Sequence, residues 1–278
     1  MSELLNQTKA KITPKSEEYA SKAKAHLAQL TTPPGALGRM LELAENMASI
    51  TRSLNPKTER KAIFIFAGDH GITEEGVSQF PKEVTPQMVY NFVNGGAGIN
   101  AFARHVNAKT IVVDMGVDAD LTPLVKTGQV IDAKIRRGTA NFAKGPAMTR
   151  EEAIRSIETG IQLANAYAAD VDLFGTGEMG IGNTSPSSAI LACLSKRPIE
   201  DLVGKGAGIS DQRLLQKINI LEQAIKLNNP DNTDALDVLS KVGGFEIGAI
   251  AGLILGAAAL QKPIVIDGFI STAGALIA

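Results

Sequence analysis

Residues 171–188, VDLFGTGEMGIGNTSPSS, set a short apolar run, a glycine-dense turn and a helix start in immediate succession. Val171, Leu173 and Phe174 read as a strand. Gly175, Gly177, Gly180 and Gly182 predict a loop whose backbone is free to take positive φ and to let a ligand approach closely. Asn183, Thr184 and Ser185 are N-cap residue types, and Pro186 suits a first helical turn. A strand, a glycine loop and a helix N-terminus together make a place for an anion, usually a phosphate. One carboxylate, Glu178, stands inside that loop. An acid beside an anion site is repelled by the ligand unless it has a job, so Glu178 is a candidate functional residue.

Three further apolar runs have strand length: Ala62–Ala67 (AIFIFA), Thr110–Asp114 (TIVVD) and Pro263–Asp267 (PIVID). Each is continuous rather than alternating, as in strands buried on both faces. Val130–Ile135 reads as a peripheral strand. Between them lie helical patterns. Ser16 caps a helix to Leu30, which Thr31-Thr32-Pro33-Pro34-Gly35 breaks, and a second helix spans Leu37–Ile50. Thr85-Pro86 opens another, and Asn94–Gly98 interrupts it. Thr149-Arg150-Glu151-Glu152 is a capping box for a helix to Ala168. Ser210 caps Asp211–Leu227, and Phe245–Leu260 is apolar and rich in glycine and alanine, as in a tightly packed interior helix. The alternation predicts a three-layer, mostly parallel, Rossmann-like α/β domain over 56–278, with a small helical subdomain over 1–55. Ligands in such sheets sit beyond the carboxyl ends of the strands. GDHG (68–71), DMGVD (114–118), GTGEMGIGN (175–183) and DGFIS (267–271) are therefore expected to converge on one cleft.

Bulk properties narrow the function classes. A net charge of −1 argues against nucleic acid or a membrane surface as partner. The longest apolar run, Ile247–Leu260, is about 14 residues, short of a bilayer span. The charged N-terminus has no apolar core, so no signal peptide is expected. The single cysteine, Cys193, excludes an intrachain disulfide and fits a reducing cytoplasm; it reads as a small buried apolar residue. Three scattered histidines and the lack of CxxC or HExxH argue against a protein-built zinc site. Ser271–Ala278 (STAGALIA) reads as the first turns of a helix without a stop signal, so the sequence is expected to continue.

GxxxxGK[ST] and GxSxG are both absent. Gly175-x-Gly177-x-x-Gly180 matches a dinucleotide fingerprint only formally, because no acid follows about 20 residues later at a strand end. A phosphate cradle, isolated carboxylates and a few lysines remain, which suit a reaction at a phosphorylated sugar. GDHGITEEGVSQFPKEVTPQM (68–88), NGGAGIN (94–100), RRGTANF (136–142), GTGEMGIGNTSPSSAI (175–190), GKGAGISD (204–211), KVGGFEIGAIAG (241–252) and PIVIDGFISTAGAL (263–276), in this order, resemble the nicotinate-nucleotide–dimethylbenzimidazole phosphoribosyltransferase family.

The resemblance implies phosphoribosyl transfer from nicotinate mononucleotide to 5,6-dimethylbenzimidazole, giving α-ribazole 5′-phosphate and nicotinate for the lower ligand of cobalamin. It implies a cytoplasmic homodimer and no metal or other cofactor, because the glycosidic bond to a pyridinium nitrogen is already activated. Gly177, Gly180, Asn183 and Thr184 are expected to line the phosphoribosyl site, and Lys217 to lie near the phosphate, with Lys205 the weaker alternative. Ser271 is a candidate phosphate or ribose ligand on the loop after the last strand. Ser78, Phe80 and Gln87 match the side that receives the benzimidazole, although Phe80 is equally compatible with core packing. Asp69 and His70 organise the pocket in this reading, although His70 suits a backbone hydrogen bond as well. Asp114 and Asp267 read as loop-holding acids. Glu178 matches the second carboxylate of the family's site, and the family's proposed base is expected beyond Ala278. Two alternatives stay open: a related transferase acting on another aromatic base, and a non-catalytic binder of the nucleotide or the benzimidazole.

Overall fold

Apolar runs separated by helix-length segments can pair in parallel only through crossovers, and the chain folds that way. The computed structural model describes residues 2–33 and 35–278; Pro34, in the helix-breaking stretch, lies outside the described residues. Among these residues the chain runs α1 (Glu3–Lys11), α2 (Glu17–Leu27), α3 (Arg39–Thr51), β1 (Lys61–Gly68), α4 (Val84–Val93), α5 (Gly98–His105), β2 (Ala108–Gly116), α6 (Thr122–Lys126), β3 (Val130–Asp132), α7 (Arg150–Ala166), β4 (Leu173–Met179), α8 (Thr184–Ser195), α9 (Asp211–Asn228), α10 (Ala235–Val242), α11 (Phe245–Ala259), β5 (Ile264–Val265) and α12 (Gly268–Ile277). The strands form one all-parallel sheet in the order β3-β2-β1-β4-β5. The winding reverses at β1, so the crevice beyond the carboxyl ends of β1 and β4 is the switch point where such sheets take ligands.

β1 is central and buried on both faces. Phe64 and Phe66 join Val113, Met115 and Phe174 in one core, covered by α7 and α11. Ile65 and Ala67 face the opposite way with Val112, under Val89 and Phe92 of α4 and Leu124 of α6. These are the two interfaces of a three-layer α/β domain. Each fully buried phenylalanine contributes on the order of 2–3 kcal/mol. α7 and α11 cross almost backbone to backbone: a Cβ at Gly160 would stand 2.0 Å from Ala249 O, and one at Gly252 1.8 Å from Ile157 O. The small residues of α11 are what permit that approach. α2 and α3 pack on each other, tied by Ser49 Oγ donating to Ser16 O at 2.9 Å, while α1 rests on α7 and α11.

Four sequence expectations are corrected. β4 does not end at Phe174 but runs through Gly175, Gly177 and Glu178 to Met179, paired with β1. Its two glycines serve packing, since a Cβ at Gly177 would meet Ile65 Cγ1 at 3.3 Å; only Gly182 of the four has positive φ. PIVID is not a fully buried strand: β5 has two residues at the sheet edge, and Val265 and Ile266 are exposed. Ser271 lies within α12 rather than on a loop, because the helix begins at Gly268 directly after the strand. α1 and α6 were not foreseen. α1 is mostly polar and lacks an apolar stripe, and it is held by its Ser2 cap and buried Leu5.

Candidate active site

The cleft is built at the ends of β1 and β4. Beyond β4, Gly180 can hold no side chain, because a Cβ there would stand 2.3 Å from Gly68 O at the end of β1. The chain turns through Gly182 at φ 89° and enters α8 at Thr184. Thr85 Oγ1 accepts from Ile181 N at 3.1 Å, which fastens the turn to α4. Asn183 does not cap α8 with its side chain; its Nδ2 donates to Glu178 Oε2 at 2.5 Å and so aims the carboxyl. Glu178, Gly180, Asn183, Thr184 and Ser78 line one cavity of about 220 Å³, closed on the far side by Lys205 and Gly206. Gln79 spans that closure: in the orientation that satisfies its amide, its nitrogen donates to Ala207 O and Gly208 O at 2.8 and 3.0 Å.

Below the cavity, α9 presents Lys217, which is 1% exposed. Its Nζ donates to Thr184 Oγ1 at 2.7 Å, and among the described residues no carboxylate reaches it. Burial alone pushes its pKa down to about 8. An uncompensated buried ammonium beside a hydroxyl, a helix N-terminus and a glycine loop is short of one anion.

Across the strand end, Asp69, His70 and Phe80 line an adjoining cavity of about 440 Å³ with Arg137 and Thr139. Asp69 Oδ2 accepts from Asp118 N at 2.8 Å, and burial raises its pKa against that hydrogen bond. Asp114 holds its loop, as its residue type implied: Oδ1 accepts from Gly116 N and Val117 N, and Oδ2 faces Lys134 Nζ at 3.1 Å. His70 Nε2 is 2.8 Å from Oε1 of Glu246, at the start of α11, and both side chains are essentially inaccessible. Burial opposes charge on His70 more than any single neighbour favours it, but Glu246, Asp69 and Glu178 together outweigh burial and raise the imidazole pKa. Burial raises the pKa of Glu178; the Asn183 hydrogen bond lowers it, Glu246 adds to the rise and His70 opposes it.

A family model described as phosphoribosyltransferase matches residues 12–278. Nicotinate-nucleotide–dimethylbenzimidazole phosphoribosyltransferases of Syntrophotalea carbinolica and Geotalea uraniireducens are 56% and 58% identical over 99% of this chain and 78% of their own length. This chain belongs to that family. CobT from Thermus thermophilus, known from its crystal structure, is 40% identical and superposes with a TM-score of 0.87 over 94% of this chain and 77% of its own.

The structure does not gather every residue that the family resemblance marked. Glu178, Gly180, Asn183, Thr184, Ser78 and Lys205 surround one cavity, with Lys217 beneath it. Gly177 lies under it, packed on β1. Asp69, His70 and Phe80 surround the second cavity. Gln87 is exposed on α4, and Ser271 is buried in α12 with its Oγ unpartnered. Glu246 was missed by the sequence reading. Its signal was present: it is the lone charge in the apolar helix FEIGAIAGLILGAAA, a position where a carboxylate persists only when paired. A separate groove of about 570 Å³ lies against the early residues of β1 and β4 and contains none of these groups. Among the described residues no cluster of acids, histidines and cysteine could hold a metal ion, and no helix is long and apolar enough to cross a membrane.

Proposed function

We propose that the protein transfers the 5-phosphoribosyl group of nicotinate mononucleotide to 5,6-dimethylbenzimidazole, forming α-ribazole 5′-phosphate and releasing nicotinate. The observation that carries this reading is Lys217. Its missing counter-charge is supplied by the donor's 5′-phosphate, seated between Lys217, Thr184 Oγ1 and the backbone of Gly180–Asn183 and Gly206.

The chemistry suits these parts. The C1′–N bond to the pyridinium breaks with its electron pair returning to the ring, so nicotinate leaves without a proton. The entering azole nitrogen forms the new C1′–N bond, and the ring then sheds its other N–H proton. Glu178, the second carboxylate of this reading, stands on the acceptor side to hydrogen-bond that N–H, and burial holds its pKa above the usual carboxylate range. Positioning of two substrates supplies the remainder of the rate. Phe80 and Ser78 frame the azole side, and Lys205 remains the second candidate for the phosphate. A homodimer in the cytoplasm completes this reading, as the sequence resemblance implies, and a single cysteine is compatible with a reducing compartment.

The test mixes protein, nicotinate mononucleotide and dimethylbenzimidazole and follows nicotinate and ribazole phosphate by chromatography. Equimolar appearance of the two supports the reading. Tight binding of both substrates with no nicotinate released would instead leave a non-catalytic binder.

A further inference from the structure

Gln79 joins two loops that the reaction as outlined uses separately. The first is residues 204–208, GKGAG, on the far wall of the phosphate cavity, anchored at its ends by buried Val203 and Ile209. Gly206, at φ 54°, lies directly over the phosphate seat: a Cβ there would be 3.3 Å from Thr184 Oγ1 and 3.9 Å from Lys217 Nζ. Within the loop Gly208 N donates to Lys205 O at 3.0 Å, and Lys205 Nζ pairs with Asp211 at 2.7 Å. Glycines and an alanine around one lysine offer little to pack on the rest of the molecule, so ordering this backbone costs conformational entropy. Gln79 supplies the tie, its amide nitrogen donating to Ala207 O at 2.8 Å and Gly208 O at 3.0 Å. Among the described residues no other hydrogen bond joins 204–208 to an earlier part of the chain. The second loop is 77–80. Val77 is buried, Ser78 lines the cavity that holds Glu178, and Phe80 lines the adjoining one. Ser78 Oγ accepts from Phe80 N at 3.3 Å, so the turn that carries Gln79 is closed on itself.

We infer that Gln79 is a positioning residue that couples the two substrate subsites, by tying the loop over the phosphate seat to the turn that frames the azole. The inference rests on the phosphate seat at Lys217 in the proposed reaction. A phosphate in that seat accepts from the backbone at Gly206 and orders 204–208. The carbonyls of Ala207 and Gly208 then present a fixed target to Gln79, which orders 77–80 and with it Ser78 and Phe80. The azole acts in the reverse direction, because a coupling between two binding sites has the same size read from either one. Gln79 is exposed and both its bonds are neutral, so the tie is weak enough to be made and released as ligands come and go.

The probes are ribose 5-phosphate, which carries the phosphate but no leaving base, and 5,6-dimethylbenzimidazole. Titration calorimetry measures the affinity of each alone and with the other at saturation. In the unaltered protein ribose 5-phosphate should tighten dimethylbenzimidazole binding at least about 5-fold, and dimethylbenzimidazole should tighten ribose 5-phosphate by the same factor. Gln79→Met keeps the side-chain length and removes both donors. It should bring the factor close to one, whatever it does to either affinity alone, and its folding is checked by a thermal melt. A merely structural glutamine would shift both affinities and leave the factor unchanged. That result, or a factor close to one in the unaltered protein, overturns the inference. Ribose 5-phosphate that binds Lys217→Met as well as the unaltered protein would overturn the phosphate seat and this inference with it. Ribose 5-phosphate that needs Lys217 yet leaves the azole affinity unmoved would overturn the coupling alone.

Discussion

Lys217 concentrates the conflict between stability and function in one side chain. A lysine lowered from 10.5 to about 8 in the folded protein carries a penalty of roughly 3 kcal/mol while it stays charged. The unfolded chain binds that proton more tightly, so the penalty is full below pH 8 and is relieved as pH rises toward 10.5. Lys217→Met should therefore raise the ligand-free stability at pH 7 by about 1–3 kcal/mol, read as a higher denaturant midpoint. A decrease would show that the buried charge is already compensated. A bound phosphate restores the lysine pKa, so nucleotide binding between about pH 8 and 9 should take up protons, measurable by titration calorimetry in buffers of different ionisation heat. Glu178→Gln keeps the volume and removes the carboxylate on the acceptor side. It should lower nicotinate release at least about 10²-fold with an unchanged melt; kinetics like those of the unaltered protein would remove Glu178 from the reaction.

At the scale of elements, glycine has three distinct jobs here, and the sequence distinguishes them poorly. Gly182 was legible as a turn residue and does take positive φ. Gly175 and Gly177 looked the same in sequence, yet they lie in β4, where the absent side chain lets Ile63 and Ile65 pack on the strand. Spacing alone cannot separate a glycine that bends from one that admits a neighbour's methyl group. Gly160 and Gly252 have the third role, at the α7–α11 crossing. Gly252→Ala must push a backbone carbonyl away from 1.8 Å and should cost more than about 2 kcal/mol. Gly204→Ala, with nothing within 4 Å of its Cβ, should be neutral or slightly stabilising. Equal effects in urea melts would contradict the close crossing.

For the whole molecule, the parallel three-layer plan was readable because each strand was a short apolar run ending in Gly, Asp or Ser. That plan predicted that GDHG, DMGVD, GTGEMGIGN and DGFIS converge. The first three do line the two cavities at the β1 and β4 ends, but Asp267 of DGFIS lines the separate groove and Ser271 is buried in α12. β5 misled because an apolar run such as PIVID does not reveal whether one or both of its faces are covered. Glu246 was missed because its importance lies in contact with His70, 176 positions away in sequence. The proposed function depends on a cleft made for a phosphorylated sugar, with Lys217 as its cation. The most direct measurement compares the affinity for nicotinate mononucleotide with that for its dephosphorylated nucleoside at neutral pH, in the unaltered protein and in Lys217→Met. A charge-assisted contact predicts that the nucleotide is preferred about 10- to 100-fold and that the variant loses most of this preference. Equal affinity for nucleotide and nucleoside in the unaltered protein, or a preference untouched by Lys217→Met, would contradict it.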